Sequence, residues 1–87
     1  MINAKYPILN TNETIDIEIS NVKNDQYSDN NDKYCTCTLK GPGISEKFSV
    51  YGIDGLQCTY LTFEEIKRRL EKYQERNNLK LEYTFYV

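Results

Sequence analysis

Residues 52–57, Gly-Ile-Asp-Gly-Leu-Gln, divide the chain into two kinds of sequence. Before them apolar residues alternate with polar ones at a period of two. From there to Tyr73 the apolar residues recur every three or four positions. A chain that changes period in this way, at a turn, passes from strands to a helix. Asp54 suits the N-cap position, because its carboxylate can accept from the free amides of a first helical turn. Gln57 stands three residues on, the spacing of a capping box, and Ile53 with Cys58 could close an apolar staple across the cap. The stripe Leu56, Tyr60, Phe63, Ile66, Leu70 and Tyr73 predicts one buried helix face. Glu64, Glu65, Arg68, Arg69, Lys72 and Arg76 predict the opposite, solvated one. Thr62 and Glu65 form a second capping box, but the stripe already runs through Leu56 and Tyr60, so the earlier start is expected. Asn77-Asn78 is the expected end, since Asn tolerates the left-handed conformation there.

Upstream, residues 5–9 predict a short strand that Pro7 confines to an edge or to partial pairing. Residues 14–20 predict a strand with Ile15, Ile17 and Ile19 on one face and Asp16 and Glu18 on the other. Residues 33–40 and 44–51 flank Gly41-Pro42-Gly43 and predict a hairpin. Residues 21–32, all but devoid of apolar side chains, predict a long polar loop. After the helix, residues 79–87 alternate without interruption and predict a last strand. The expected architecture is α+β: a five-stranded, largely antiparallel sheet in the order ββββαβ, with one long helix packed on one face. The spatial order expected is 4-3-2-1-5. At 87 residues the chain has room for a single domain, residues 1–87, with one core. Its eight tyrosines and three phenylalanines supply much of the apolar area.

The chemistry available is narrow. With no histidine, Ser-His and Cys-His nucleophile pairs are excluded. Neither glycine cluster has a phosphate-loop pattern. Cys35 and Cys37 alternate in a strand and read as small core hydrophobes. A metal site with Cys58 as third ligand would need a carboxylate to close it. Asp25, Asp29 and Asp32 lack the alternation, central Gly and closing Glu of a calcium loop. No catalytic, cofactor or metal residue is therefore expected, and the chain reads as a non-enzyme. No leader-like or membrane-spanning run is present, so a cytoplasmic location is expected.

Charge points to a partner instead. Residues 1–32 hold six acids and two lysines, whereas residues 33–87 hold seven acids and nine bases. That asymmetry fits a protein partner with a basic surface better than direct binding to nucleic acid. The sheet face away from the helix would carry Asp16, Glu18, Tyr34, Thr36, Thr38, Tyr51, Glu82, Thr84 and Tyr86. The candidate contact residues are Asp16, Glu18, Asp25, Tyr27, Asp29, Asp32, Tyr34, Tyr51 and Tyr86.

The run Phe48-Ser-Val-Tyr-Gly-Ile-Asp-Gly-Leu-Gln57, followed by a long helix and a strand, resembles a family of small bacterial domains of unknown function. Their pattern is a strand, then Gly-hydrophobic-Asp-small-hydrophobic-Gln, then an amphipathic helix, over roughly residues 33–85 here. Such domains look like small immunity proteins, which neutralise toxins by binding them. The resemblance implies a cytoplasmic inhibitor that acts by protein binding, with no catalytic residue. Two other classes are open on the sequence: a phage- or plasmid-encoded inhibitor of a host nuclease complex that mimics nucleic-acid phosphate, and a self-associating domain pairing through the Pro7 edge or the last strand. The expected state is a monomer or a weak homodimer.

Overall fold

The computed structural model describes residues 2–29 and 32–82. Its elements are β1 (Ile2–Pro7), β2 (Thr14–Ile19), β3 (Lys23–Asn24), β4 (Lys33–Gly41), β5 (Ile44–Gly52) and α1 (Gly55–Asn77). The fold is α+β, a mostly antiparallel five-stranded sheet with one helix after the strands.

β4 is the central strand. Along one edge it pairs with β5 from Lys33↔Gly52 to Gly41↔Ile44. Pro42 and Gly43 alone make that turn. Pro cannot take positive φ, whereas Gly43 sits at φ 75, so the turn is type II. Along its other edge β4 pairs first with β2 (Ile19↔Cys37) and then with β3 (Lys23↔Tyr34). From Ile19 to Lys23 the chain advances one residue more than β4 does over the same length. β2 and β3 are thus one line of strand interrupted by a bulge. Ser20 repairs the break: its amide donates to the Thr36 carbonyl at 2.9 Å and its Oγ accepts from the Thr36 amide at 2.9 Å. The stretch expected to be a loop over 21–32 is therefore strand at its start. The polar side chains concealed this, because both β3 residues are exposed.

β1 pairs antiparallel with β2, from Ile2↔Ile19 to Pro7↔Thr14. It begins three residues before the strand expected at 5–9 and ends at its proline. The order β5-β4-β2-β1 matches the expected order of the first four strands. Of the last expected strand, residues 79–82 are described. Leu81 bridges Ile8 antiparallel, the Leu9 amide donates to the Lys80 carbonyl, and the Glu82 amide donates to the Pro7 carbonyl. This stretch thus lies beside the end of β1, where the final strand was expected; residues 83–87 lie outside the described residues.

The helix starts and stops where its caps direct. The Asp54 carboxylate accepts from the Gln57 amide at 2.8 Å, and Gln57 Oε1 reaches back to the Ile53 amide at 2.8 Å. Asn78, at φ 52, closes the other end with its amide directed at the Gln74 and Glu75 carbonyls. Thr62 does not cap; its hydroxyl donates to the Cys58 carbonyl inside the helix.

The buried stripe is rotated from the expected one. It runs Cys58, Thr62, Ile66, Leu70, Tyr73. Leu56 is 84% exposed and Tyr60 50%. The predicted staple also fails, because Ile53 is 69% exposed. The cause is the closeness of the helix start to the sheet. A Cβ on Gly52 would lie 2.7 Å from the Cys58 amide nitrogen and 2.9 Å from its Cα. At that separation only small side chains fit between helix and sheet, so Cys58 and Thr62 go in and the bulky residues go out. Against this stripe pack Ile15, Ile17, Ile19, Cys35, Cys37, Leu39 and Ile44, with Ile8 and Leu81 at the β1 end. Arg69, expected on the solvated face, instead lies over the Phe48 ring at 3.8 Å and pairs with Glu46 and Glu65.

Candidate functional site

With α1 on one face, the other face of the sheet is uncovered among the described residues. Strand alternation places Asn3, Lys5, Asp16, Glu18, Tyr34, Thr36, Thr38, Lys40, Lys47, Ser49 and Tyr51 there. The face is not the acidic surface the sequence suggested. Asp16 stands directly between Lys5 and Lys40 in the cross-strand register. It approaches the Lys5 ammonium at 3.9 Å and accepts from the Thr14 hydroxyl at 3.1 Å. Its charge is offset locally. Glu18 lies between Asn3 and Thr38 and is exposed.

The tyrosines gather at the far end of β4. Tyr34 and Tyr51 are direct cross-strand partners, with ring centroids 5.5 Å apart and planes tilted by 30°. The loop after β3 brings Tyr27 beside them. The three rings, with Lys23, Asn24, Asp25 and Gln26, line a depression of about 380 Å³. Asp25 organises the loop: its Oδ1 accepts from the Tyr27 amide at 3.0 Å, its carbonyl from the Ser28 amide at 3.1 Å, and its amide donates to the Asp32 carbonyl at 2.8 Å. The Asp32 amide also lies 3.4 Å from Ser28 Oγ. The loop is thereby closed at its base, and Tyr27 projects from it 89% exposed. Asp29 is exposed on the same loop.

Six of the candidate residues, Asp25, Tyr27, Asp29, Asp32, Tyr34 and Tyr51, are therefore brought to one end of the sheet. Asp16 and Glu18 share the face but pair four to six residues further along β4, roughly 13–20 Å away. Tyr86 lies outside the described residues.

Sequence reasoning missed the apolar margin of this end. Val22, Ile53, Leu56 and Tyr60 are exposed around the β5–α1 corner. Val22 Cγ1 lies 3.7 Å from the Cβ position of Gly55. A sequence signal existed in the glycine at 52, which brings the helix start too near the sheet for Leu56 to turn inward.

The three thiols are shut away from solvent. Cys35, Cys37 and Cys58 are free and buried. Burial pushes the Cys37 thiol up to about 12 and the Cys58 thiol up to about 11. Cys58 Sγ donates toward Cys35 Sγ and the Val50 carbonyl, each at 3.3 Å. Among the described residues there is no cluster of three or more metal-ligating side chains, and no helix is long and apolar enough to cross a membrane. No family model, curated protein or solved structure matches this chain.

Proposed function

We propose that this protein is a binding inhibitor of the immunity type, which neutralises a toxin by forming a complex with it in the cytoplasm. The observation that carries the reading is the exposed Tyr27–Tyr34–Tyr51 cluster beside a loop bearing Asp25, Asp29 and Asp32. Tyrosines supply contact area at small conformational cost, and they dominate the energetic centres of protein interfaces. The tyrosine faces attract a cation; Asp25 in the depression and Asp29 and Asp32 on the loop add to that attraction, and Lys23 at the depression opposes it. A basic side chain of the partner, seated in the depression against the tyrosine faces, is the contact this geometry favours. The apolar margin at Ile53, Leu56 and Tyr60 would flank it.

The nucleic-acid-mimic reading is less well supported. Lys5, Lys40 and Lys47 are interspersed with Asp16 and Glu18 on the open face, which spoils an uninterrupted line of negative charge.

The test is co-expression with the product of the neighbouring gene, followed by titration calorimetry of the purified pair. A stoichiometric complex that silences the partner's toxicity is expected. Tyr51→Ala should weaken it by about tenfold or more. Absence of a complex, or one indifferent to both Tyr27→Ala and Tyr51→Ala, would overturn the reading.

A further inference from the structure

The tyrosine cluster leaves one feature of the sheet unused. β5 is nine residues long and pairs only with β4 among the described residues. Its two-residue turn makes Gly41 and Ile44 the first hydrogen-bonded pair. Alternation along an antiparallel ladder then directs the amides and carbonyls of Ser45, Lys47, Ser49 and Tyr51 away from β4, toward an open edge. The edge has no proline and no bulge, and one charge, Lys47, on its outer side. Long edges of this kind template pairing with another strand. Between β5 and α1 runs a groove of about 560 Å³ lined by Phe48, Val50, Leu61, Glu64 and Arg68 among others.

We infer that this edge is the contact between two copies of the chain, joined β5 to β5 antiparallel about a two-fold axis at Phe48. Three observations select a second copy and this register. First, both strands must present outward-pointing amides to one another, which requires the axis to pass through a residue of the edge. Centring it on Lys47 would oppose two ammonium groups. Centring it on Phe48 opposes Lys47 to Ser49, Ser45 to Tyr51, and Phe48 to Phe48, with no like charges facing. Second, α1 runs antiparallel to β5, with Cys58 against Gly52 and Asn77 beside Gly43. The middle of the helix near Ile66 therefore lies above Phe48. A two-fold axis there sets Glu64 of each copy opposite Arg68 of the other. A Ser49-centred axis would instead set Glu64 against Glu65. Third, α1 packs on β4 and β5 together. Adding one strand spacing of about 4.8 Å between the β5 strands brings the two helix axes to roughly 10 Å, the ordinary packing distance of helices. The groove on each copy is then filled by the other. Tyr51 meets only Ser45 across the axis, so the tyrosine end of each copy stays open. The dimer is independent of the inhibitor reading.

Sedimentation velocity of the full chain over a wide concentration range tests this. A reversible dimer is expected, and a strict monomer at every concentration would overturn the inference. Ser49→Pro removes an amide that points to the open edge and takes no bond from β4. With the fold checked by circular dichroism, it should raise the dimer dissociation constant by about tenfold or more. Glu64→Arg should weaken the dimer by setting arginine against Arg68. Adding Arg68→Glu should restore it; because the two residues also stand four apart on one helix, the fold and thermal stability of each variant are measured alongside, and a dimer constant that follows stability alone would overturn the contact. Should Ser49→Pro fail to fold, the charge pair alone decides. A dimer that survives Glu64→Arg unchanged, or a doubly exchanged variant that stays as weak as the single one, would place the contact elsewhere.

Discussion

At Cys37 the cost of burying an ionisable group can be read as a pH dependence. The side chain is fully buried and lies across from Phe48, and desolvation pushes its thiol from the ordinary 9.0 up to about 12; the Arg69 charge opposes that rise, and Cys35 adds to it. Below pH 9 the thiol is neutral whether the chain is folded or not, and its full contribution to stability is present. Above pH 9 the unfolded thiol ionises while the folded one stays protonated. The unfolded state gains, and stability falls until the folded thiol ionises near 12. Over that window the loss from Cys37 is roughly 3–4 kcal/mol. Chemical denaturation across this alkaline range should show a shallower decline in Cys37→Ala than in the native sequence. Equal slopes would mean that other groups carry the whole effect. Gly52 is the second residue with a steric role of its own. Its missing Cβ would meet backbone atoms of Cys58 rather than the tip of a flexible side chain. Gly52→Ala therefore has to lift the helix start, at a cost of about 1–3 kcal/mol in the same measurement.

At the level of elements, the sequence disclosed the limits of the helix better than its orientation. Asp54, Gln57 and Asn78 act locally, through bonds to amides and carbonyls a few residues away, so the helix limits could be read directly. Asp54→Ala should cost about 0.5–2 kcal/mol of thermal or denaturant stability, since it deprives the Gln57 amide of its acceptor. The stripe was harder. Leu56 and Tyr60 share a helical arc with Phe63 by spacing, and nothing in the spacing tells how closely the helix approaches the sheet. That distance comes from Gly52, Cys58 and Thr62 acting together. A paired comparison follows from the observed rotation: Leu56→Ser should change stability by less than about 0.5 kcal/mol, whereas Leu70→Ala should cost about 2–5 kcal/mol. The bulge between β2 and β3 was concealed for a related reason. Its repair uses the Ser20 side chain and a neighbouring strand, and a polar Lys-Asn pair carries no alternation that would announce it.

Across the whole molecule, the α+β class, the order of the first four strands and the side of the sheet that holds the core were all legible, because each depends on periodicity. The distribution of charge over the open face was not, because it depends on register. Only the pairing Lys5–Asp16–Lys40 shows that an acidic residue of the N-terminal part is enclosed by lysines. The same register carries Tyr34 to Tyr51 and, with the closed loop, adds Tyr27. The two candidate patches on one face thus differ in kind, and partner affinity should separate them. Removing both charges of the first, Asp16→Asn with Glu18→Gln, should change affinity by less than about threefold, the scale of contacts that only exclude water. Tyr27→Ala and Tyr51→Ala should each weaken the complex by about tenfold or more, mainly through faster dissociation. Asp29→Asn, on the exposed loop, should slow association at low salt and lose that effect as salt rises. Surface plasmon resonance on the purified pair resolves all three. The reverse ranking, with the Asp16 and Glu18 pair dominant, would move the site to β2 and leave the tyrosine cluster outside the interface.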